Sequence, residues 1–159
     1  MSAPAIIEER SVFLPDEAAT LALGSRLGRV IEPGLYVALS GDLGSGKTTL
    51  TRGVLRGLGY QGKVKSPTYT LVELYSLSKL DLYHFDFYRF NDPREWLDAG
   101  FRDHFEPRNV CLVEWPERVR DLLPVPDLGI SLSVEGDGRR IRIAAKTEHG
   151  RHCLDRLPD

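Results

Sequence analysis

The octapeptide Gly41-Asp42-Leu43-Gly44-Ser45-Gly46-Lys47-Thr48 matches the phosphate-binding pattern G-x-x-x-x-G-K-[ST] at every specified position. No other stretch restricts the fold as strongly, because a loop of this kind works only between a strand and a helix. There its backbone N–H groups and the positive end of the helix form one concavity for phosphate. Its glycines permit positive φ and let backbone come close to oxygen. The flanks supply both elements. Leu35 to Ser40 is a short apolar run with β-formers, and in Thr49 to Leu58 the residues Leu50, Val54, Leu55 and Leu58 recur at helical spacing.

The remaining chain alternates strand and helix signals. Ile6 to Phe13 reads as a strand. Leu14-Pro15-Asp16-Glu17-Ala18 starts a helix, with proline in its first turn and acids at the positive end of the dipole. That helix runs to about Ile31, with Ala19, Leu23, Leu27 and Val30 inward, and Glu32-Pro33-Gly34 stops it. Gly57 and Gly59 end the helix after the loop, and 62–68 reads as a loop. Tyr69 to Tyr75 and Lys79 to Tyr88 read as strands that pair as a hairpin across Ser76-Leu77-Ser78. In the second, Tyr83, Phe85 and Phe87 face one way and His84, Asp86 and Tyr88 the other. Asn91-Asp92-Pro93 caps a helix through about Phe105, with Trp96, Ala99 and Phe105 inward.

Asn109 to Glu114 is an apolar run ending in a carboxylate, the pattern of a strand buried on both faces in a parallel sheet. Ile130 to Val134 and Arg140 to Ala144 form a hairpin signal about Glu135-Gly136-Asp137-Gly138. The tail after Lys146 is polar and reads as a loose helix. The expected architecture is one α/β domain over residues 1–159, a P-loop NTPase-like three-layer fold. Its sheet is mostly parallel, with antiparallel edge strands.

The bulk numbers bound the function. A net charge of −2 carries no global nucleic-acid footprint, so tight autonomous RNA binding is not expected. Cys111 lies in an apolar run and Cys153 in a polar tail, which argues against a structural disulfide and for a reducing compartment. The start shows no secretory pattern, and no apolar run nears 18 residues, so a cytoplasmic protein away from membranes is predicted.

Several residues carry chemistry. Lys47 is expected on the β- and γ-phosphates and Thr48 on magnesium. Glu114, at the C-terminal end of an apolar strand, stands where nucleotide-binding α/β proteins place a second acid for the metal, although a solvated acid at a strand end is the ordinary alternative. Asp86 either orients the attacking water or supports magnesium, or it belongs to the polar face of a half-exposed strand. Asp42 repels phosphate unless it points outward or meets a metal or partner; capping of the loop is its default role. Ser66-Pro67-Thr68-Tyr69-Thr70 lies where many nucleotide hydrolases sense the γ-phosphate, and it also reads as an ordinary turn. His104, His149 and His152 lack metal-ligand spacing and read as surface residues. Trp96 reads as packing, and Trp115 as packing or as a site-lining residue beside Glu114.

Four motifs in order extend this picture: the phosphate loop with Thr49, then Ser66-Pro67-Thr68-Tyr69-Thr70-Leu71-Val72-Glu73, then His84-Phe85-Asp86-Phe87-Tyr88-Arg89, then Leu112-Val113-Glu114-Trp115-Pro116-Glu117. Together the chain resembles the TsaE (YjeE-type) family from about Leu14 to about Ala144. The resemblance implies an ATPase of the pathway that makes threonylcarbamoyladenosine in tRNA. It would act with the TsaB–TsaD pair, meet tRNA through those partners, and use ATP and Mg2+, leaving ADP. It further implies an ATP site of Gly41, Asp42, Gly44, Ser45, Gly46, Lys47, Thr48 and Thr49, with Trp115 beside it. Glu17 and Arg139 would serve the nucleotide's outer parts, Thr48 and Glu114 the magnesium, and Lys47, Asp86 and Glu114 catalysis. Ser66, Pro67, Thr68 and Tyr69 would form a switch loop. Arg52, Lys63, Lys65 and Arg89 could make a local basic patch near the nucleotide.

Two rival classes use the same loop. A small-molecule kinase would need an acceptor pocket and usually an arginine-bearing lid, and the segment after Arg118 reads as too short and proline-bounded for one. A GTP-operated switch usually carries an N-K-x-D run, and none exists here.

Overall fold

The computed structural model describes residues 5–42, 44–64, 72–87, 101–114 and 123–158. Their sheet has seven strands: β1 (Glu8–Leu14), β2 (Tyr36–Ser40), β3 (Val72–Ser76), β4 (Asp81–Asp86), β5 (Asn109–Glu114), β6 (Leu128–Glu135) and β7 (Gly138–Ala145). The order across the sheet is β1-β7-β6-β2-β5-β4-β3. The centre is parallel, because β2 pairs in parallel with both β5 and β6, and β5 with β4. The flanks are antiparallel, through β3 on β4 and through β1 on β7 on β6. The β6–β7 hairpin is not the edge that its sequence suggests. β1 adds outside it, pairing Glu8 to Leu14 with Arg139 to Ala145.

β5 is buried along its whole length, as its apolar run predicts, since it lies between two strands and under both faces of the sheet. One face carries the larger core. Val37, Leu39, Leu112, Ile130 and Ile143 pack there against α1 (Glu17–Val30), α2 (Lys47–Gly57) and α3 (Glu148–Asp155). The opposite face buries Tyr36, Ala38, Phe85, Phe87, Cys111 and Val113, with Phe105 and Leu123 against them. Phe105 meets Tyr36 edge-on at 5.1 Å and stacks near Phe85 at 5.8 Å, a pairing aromatic quadrupoles favour. Most of the helix expected from Asn91, including Trp96 and Ala99, lies outside the described residues. Its last turn, Phe101–His104, is 3-10 rather than α.

α1 begins at Glu17, so Pro15 precedes the first turn instead of lying in it. Asp16 is the cap, accepting from the Ala19 N–H at 2.8 Å. The buried stripe of α1 contains Gly24 and Gly28 besides Leu23 and Leu27. Those glycines meet Gly53 and Gly57 of α2 where the helices cross, and a Cβ on Gly28 would fall 2.2 Å from the Val54 carbonyl oxygen. The two backbones therefore approach more closely than side-chain packing allows.

The tail is a packed helix, not a loose one. Thr147 caps it through the Gly150 N–H, and Cys153, Leu154 and Leu157 are buried in the main core. Asp127 ties this helix to the central sheet, accepting from the Tyr36 N–H at 2.8 Å and the Thr147 hydroxyl at 2.6 Å. Burial pushes the Cys111 thiol up to about 12 and the Cys153 thiol to about 11, so both stay protonated and act as small apolar groups. Among the described residues no helix is long and apolar enough to cross a membrane.

Candidate functional site

β2, β5 and β4 end side by side, and the parallel register aligns Leu39 with Glu114 and Glu114 with Asp86. The chain leaves β2 at Ser40, turns through the phosphate loop and enters α2 at Lys47. Gly44 and Gly46 hold φ of +80° and +106°, which a side chain would strain. A Cβ on Gly44 would meet nothing within 4 Å, so the loop is open toward the cavity at that point. The first N–H to close an α2 turn is that of Leu50, on the Gly46 carbonyl, and the donors before it lie at the open helix start.

A cavity of about 400 Å³ lies over these strand ends. It gathers Glu17, Gly44, Gly46, Lys47, Thr48, Thr49, Asp86, Glu114 and Arg139. The β6–β7 turn closes one side with Asp137 and Gly138, and the start of α1 another with Asp16 and Thr20. Gly41, Asp42 and Ser45 do not line it. They shape the loop: Asp42 is exposed, and its carbonyl accepts the Ser45 N–H at 3.0 Å. Ser45 is buried beneath. Leu43, Trp115 and the expected switch residues Ser66, Pro67, Thr68 and Tyr69 lie outside the described residues, as do Lys65 and Arg89.

Lys47 is buried to 6% exposure, yet its ammonium has partners. It donates to the Gly41 carbonyl at 2.6 Å and lies 3.7 Å from Glu114 Oε1. His84 Nε2 lies 2.5 Å from the other oxygen, Oε2, and both side chains of that pair are buried. Burial pushes the Glu114 carboxyl up, but the hydrogen bond and attraction of His84, joined by Lys47, outweigh it. The group is held below the ordinary carboxylate range and stays ionised. Arg139 clamps the loop from β7, donating to the Gly44 and Ser45 carbonyls at 3.1 Å each. Glu17 stands 3.7 Å from Arg52 at the exposed rim.

Several contributors escape sequence reading. His84 shares the β4 face with Asp86, so period-2 alternation was the available signal, but that face is buried at His84 rather than half-exposed. Thr20 lies one helical turn beyond Asp16, and Asp137 sits in a turn whose place over the cavity nothing local marks. His104 is not a plain surface residue, because its ring stacks on Tyr83 at 4.3 Å. His152 is exposed and stands 3.5 Å from Glu32.

The residues fit a polyphosphate with a divalent cation. Glycines at positive φ and an open helix start suit phosphate oxygens. The carboxylates of Asp16, Glu17, Asp86, Glu114 and Asp137 outnumber the cations Lys47 and Arg139 around the cavity. A polyanion entering such a space needs a cation with it. Thr48, Asp86 and Glu114 supply hard oxygen donors. Among the described residues no group of three or more His, Cys, Asp or Glu could hold a metal alone. A cation here would complete its shell with phosphate and water, which is how magnesium is usually held.

The family profile described as "Threonylcarbamoyl adenosine biosynthesis protein TsaE" matches residues 14–142. A tRNA threonylcarbamoyladenosine biosynthesis protein TsaE from Haemophilus influenzae is 42% identical over 93% of this chain and 97% of its own length. Its namesake from Bacillus subtilis is 40% identical over 79% of this chain and 77% of its own. The crystal structure of Bacillus subtilis YdiB superposes with a TM-score of 0.83 at 29% identity, covering 96% of both chains.

Proposed function

The chain belongs to the TsaE family, and from that membership we propose that it is a magnesium-dependent ATP-binding and ATP-hydrolysing protein of tRNA threonylcarbamoyladenosine formation, acting in the cytoplasm with TsaB and TsaD. One observation carries the chemical half of this reading. The buried Lys47–Glu114 pair joins the phosphate loop to the end of β5 at 3.7 Å, beside Thr48 on the same cavity. Lys47 can exchange the Gly41 carbonyl and Glu114 for phosphate oxygens without leaving its pocket. Thr48 and Glu114 would hold magnesium, which supplies charge neutralisation on the transferring phosphate. Asp86 aligns with Glu114 across β4 and β5 and would orient a water near them. Arg139 engages the Gly44 and Ser45 carbonyls, which would leave the loop N–H groups for phosphate.

The biological half is tested by association. Immobilised protein should retain a TsaB–TsaD pair when ATP and magnesium are present and release it when they are withdrawn, with phosphate release measured in both states. No nucleotide-dependent retention would sink the assignment. A labelled product other than free phosphate would point to the kinase class instead.

Glu114→Gln tests the metal role. Magnesium-dependent hydrolysis should fall on the order of a hundredfold, the scale on which metal-positioning groups act, while metal-free nucleotide binding changes little. Equal loss of both would mean a folding defect at the end of β5.

A further inference from the structure

We propose that His84 is a positioning residue that leaves Glu114 a single carboxylate oxygen for the cation and so tunes the site toward magnesium over larger divalent ions. The inference rests on the magnesium-nucleotide reading above. His84 is 1% exposed, and its Nε2 lies 2.5 Å from Glu114 Oε2. Its Nδ1 is buried with no hydrogen-bond partner among the described residues. A carboxylate oxygen and a bare ring nitrogen are both acceptors and cannot share a 2.5 Å contact, so Nε2 carries the proton and the imidazole donates from it to the carboxylate.

The sheet register makes this contact rigid. Asp86 pairs with Glu114, and His84 pairs with Leu112 two residues deeper in the sheet. The imidazole therefore reaches Glu114 from the core side and leaves the cavity side to the ligand. Lys47, the partner of Oε1, is different in kind. It sits on a flexible four-carbon stem and already divides its donors between Glu114 and Gly41. Phosphate can draw Lys47 off Oε1, but His84 is buried outside the cavity lining and keeps Oε2. Glu114 then offers Oε1 alone. Magnesium demands a near-octahedral shell that one oxygen per carboxylate suits, whereas calcium can also take both oxygens of a bidentate carboxylate. Holding Oε2 denies calcium that mode.

The test uses full-length wild type, His84→Leu and His84→Gln. Binding of a fluorescent ATP analogue is titrated without metal, with Mg2+ and with Ca2+, alongside thermal melts. His84→Leu should raise the half-saturating Mg2+ concentration roughly 10–100-fold and narrow the Mg2+/Ca2+ preference, while metal-free nucleotide affinity shifts less than about threefold. His84→Gln can still donate to Oε2, and it should recover most of the preference. An unchanged Mg2+ requirement and preference in His84→Leu would overturn the proposal. If His84→Leu fails to fold, 15N spectra of wild-type imidazole decide. A proton on Nε2 whose signal moves in Glu114→Gln supports the proposal, and an Nε2 without a proton overturns it. Wild type that binds no nucleotide with either metal would instead sink the function proposed above, a distinct result.

Discussion

Lys47→Ala should lose ATP hydrolysis by on the order of a thousandfold or more, because on the proposed function it removes the buried cation that would meet developing phosphate charge. The structure separates this loss from unfolding. Lys47 is not simply a surface charge over the ligand; it also neutralises Glu114 at 3.7 Å. Removing one partner of a buried pair costs roughly 3–5 kcal/mol when the other is left bare. Glu114 is not left bare, since His84 keeps its bond to Oε2 at 2.5 Å. The stability cost should therefore fall below that range, and the variant should fold. Denaturant melts and phosphate release on the same preparation check both halves. A folded variant with near-normal turnover would show that hydrolysis happens elsewhere.

The second large effect is expected far from the chemistry, in Gly28→Ala. Helix propensity alone predicts a gain of about 1 kcal/mol from alanine in a helix interior. The packing predicts the opposite sign. The new Cβ would lie 2.2 Å from the Val54 carbonyl oxygen and 3.1 Å from the Cα of Gly57, all of it helix backbone that cannot swing aside. Overpacking of this kind costs typically 1–3 kcal/mol and sometimes more, so a net loss of about 2 kcal/mol is expected. The same displacement reaches the site. α1 begins at Glu17 and α2 at Lys47, and both helix starts line the cavity. Forcing the helices apart should widen it and weaken nucleotide binding together with stability. A variant as stable as wild type in denaturant, or more so, would refute the close crossing.

Legibility followed the range of the interaction. Asn109 to Glu114 was readable as a doubly buried strand because its environment is written in its own composition. The phosphate loop was readable because strand, turn and helix are consecutive. Asp86 and Glu114 were each readable as acids near strand ends, and the register then aligned them. The glycines of α1 were not readable, since Gly24 and Gly28 look like weak points until Gly53 and Gly57 are laid against them. The tail was readable as a helix but not as a packed one, because eight residues with a few apolar positions give too little periodicity to distinguish a docked helix from a frayed end. Its burial depends on Asp127 and the end of α1, both remote in the chain.

By itself the sequence determined that this chain has a phosphate loop between a strand and a helix, an α/β sheet with a buried central strand, and acids near the ends of two strands. Each is set by residues within one or two elements of each other, so local pattern suffices. Only the tertiary structure decided which groups share the cavity: the order β1-β7-β6-β2-β5-β4-β3 carries Arg139 to the loop carbonyls, and the β4–β5 register sets His84 beneath Glu114. Those contacts join residues far apart in the chain, and their energies exist only once the sheet has brought them within hydrogen-bond reach.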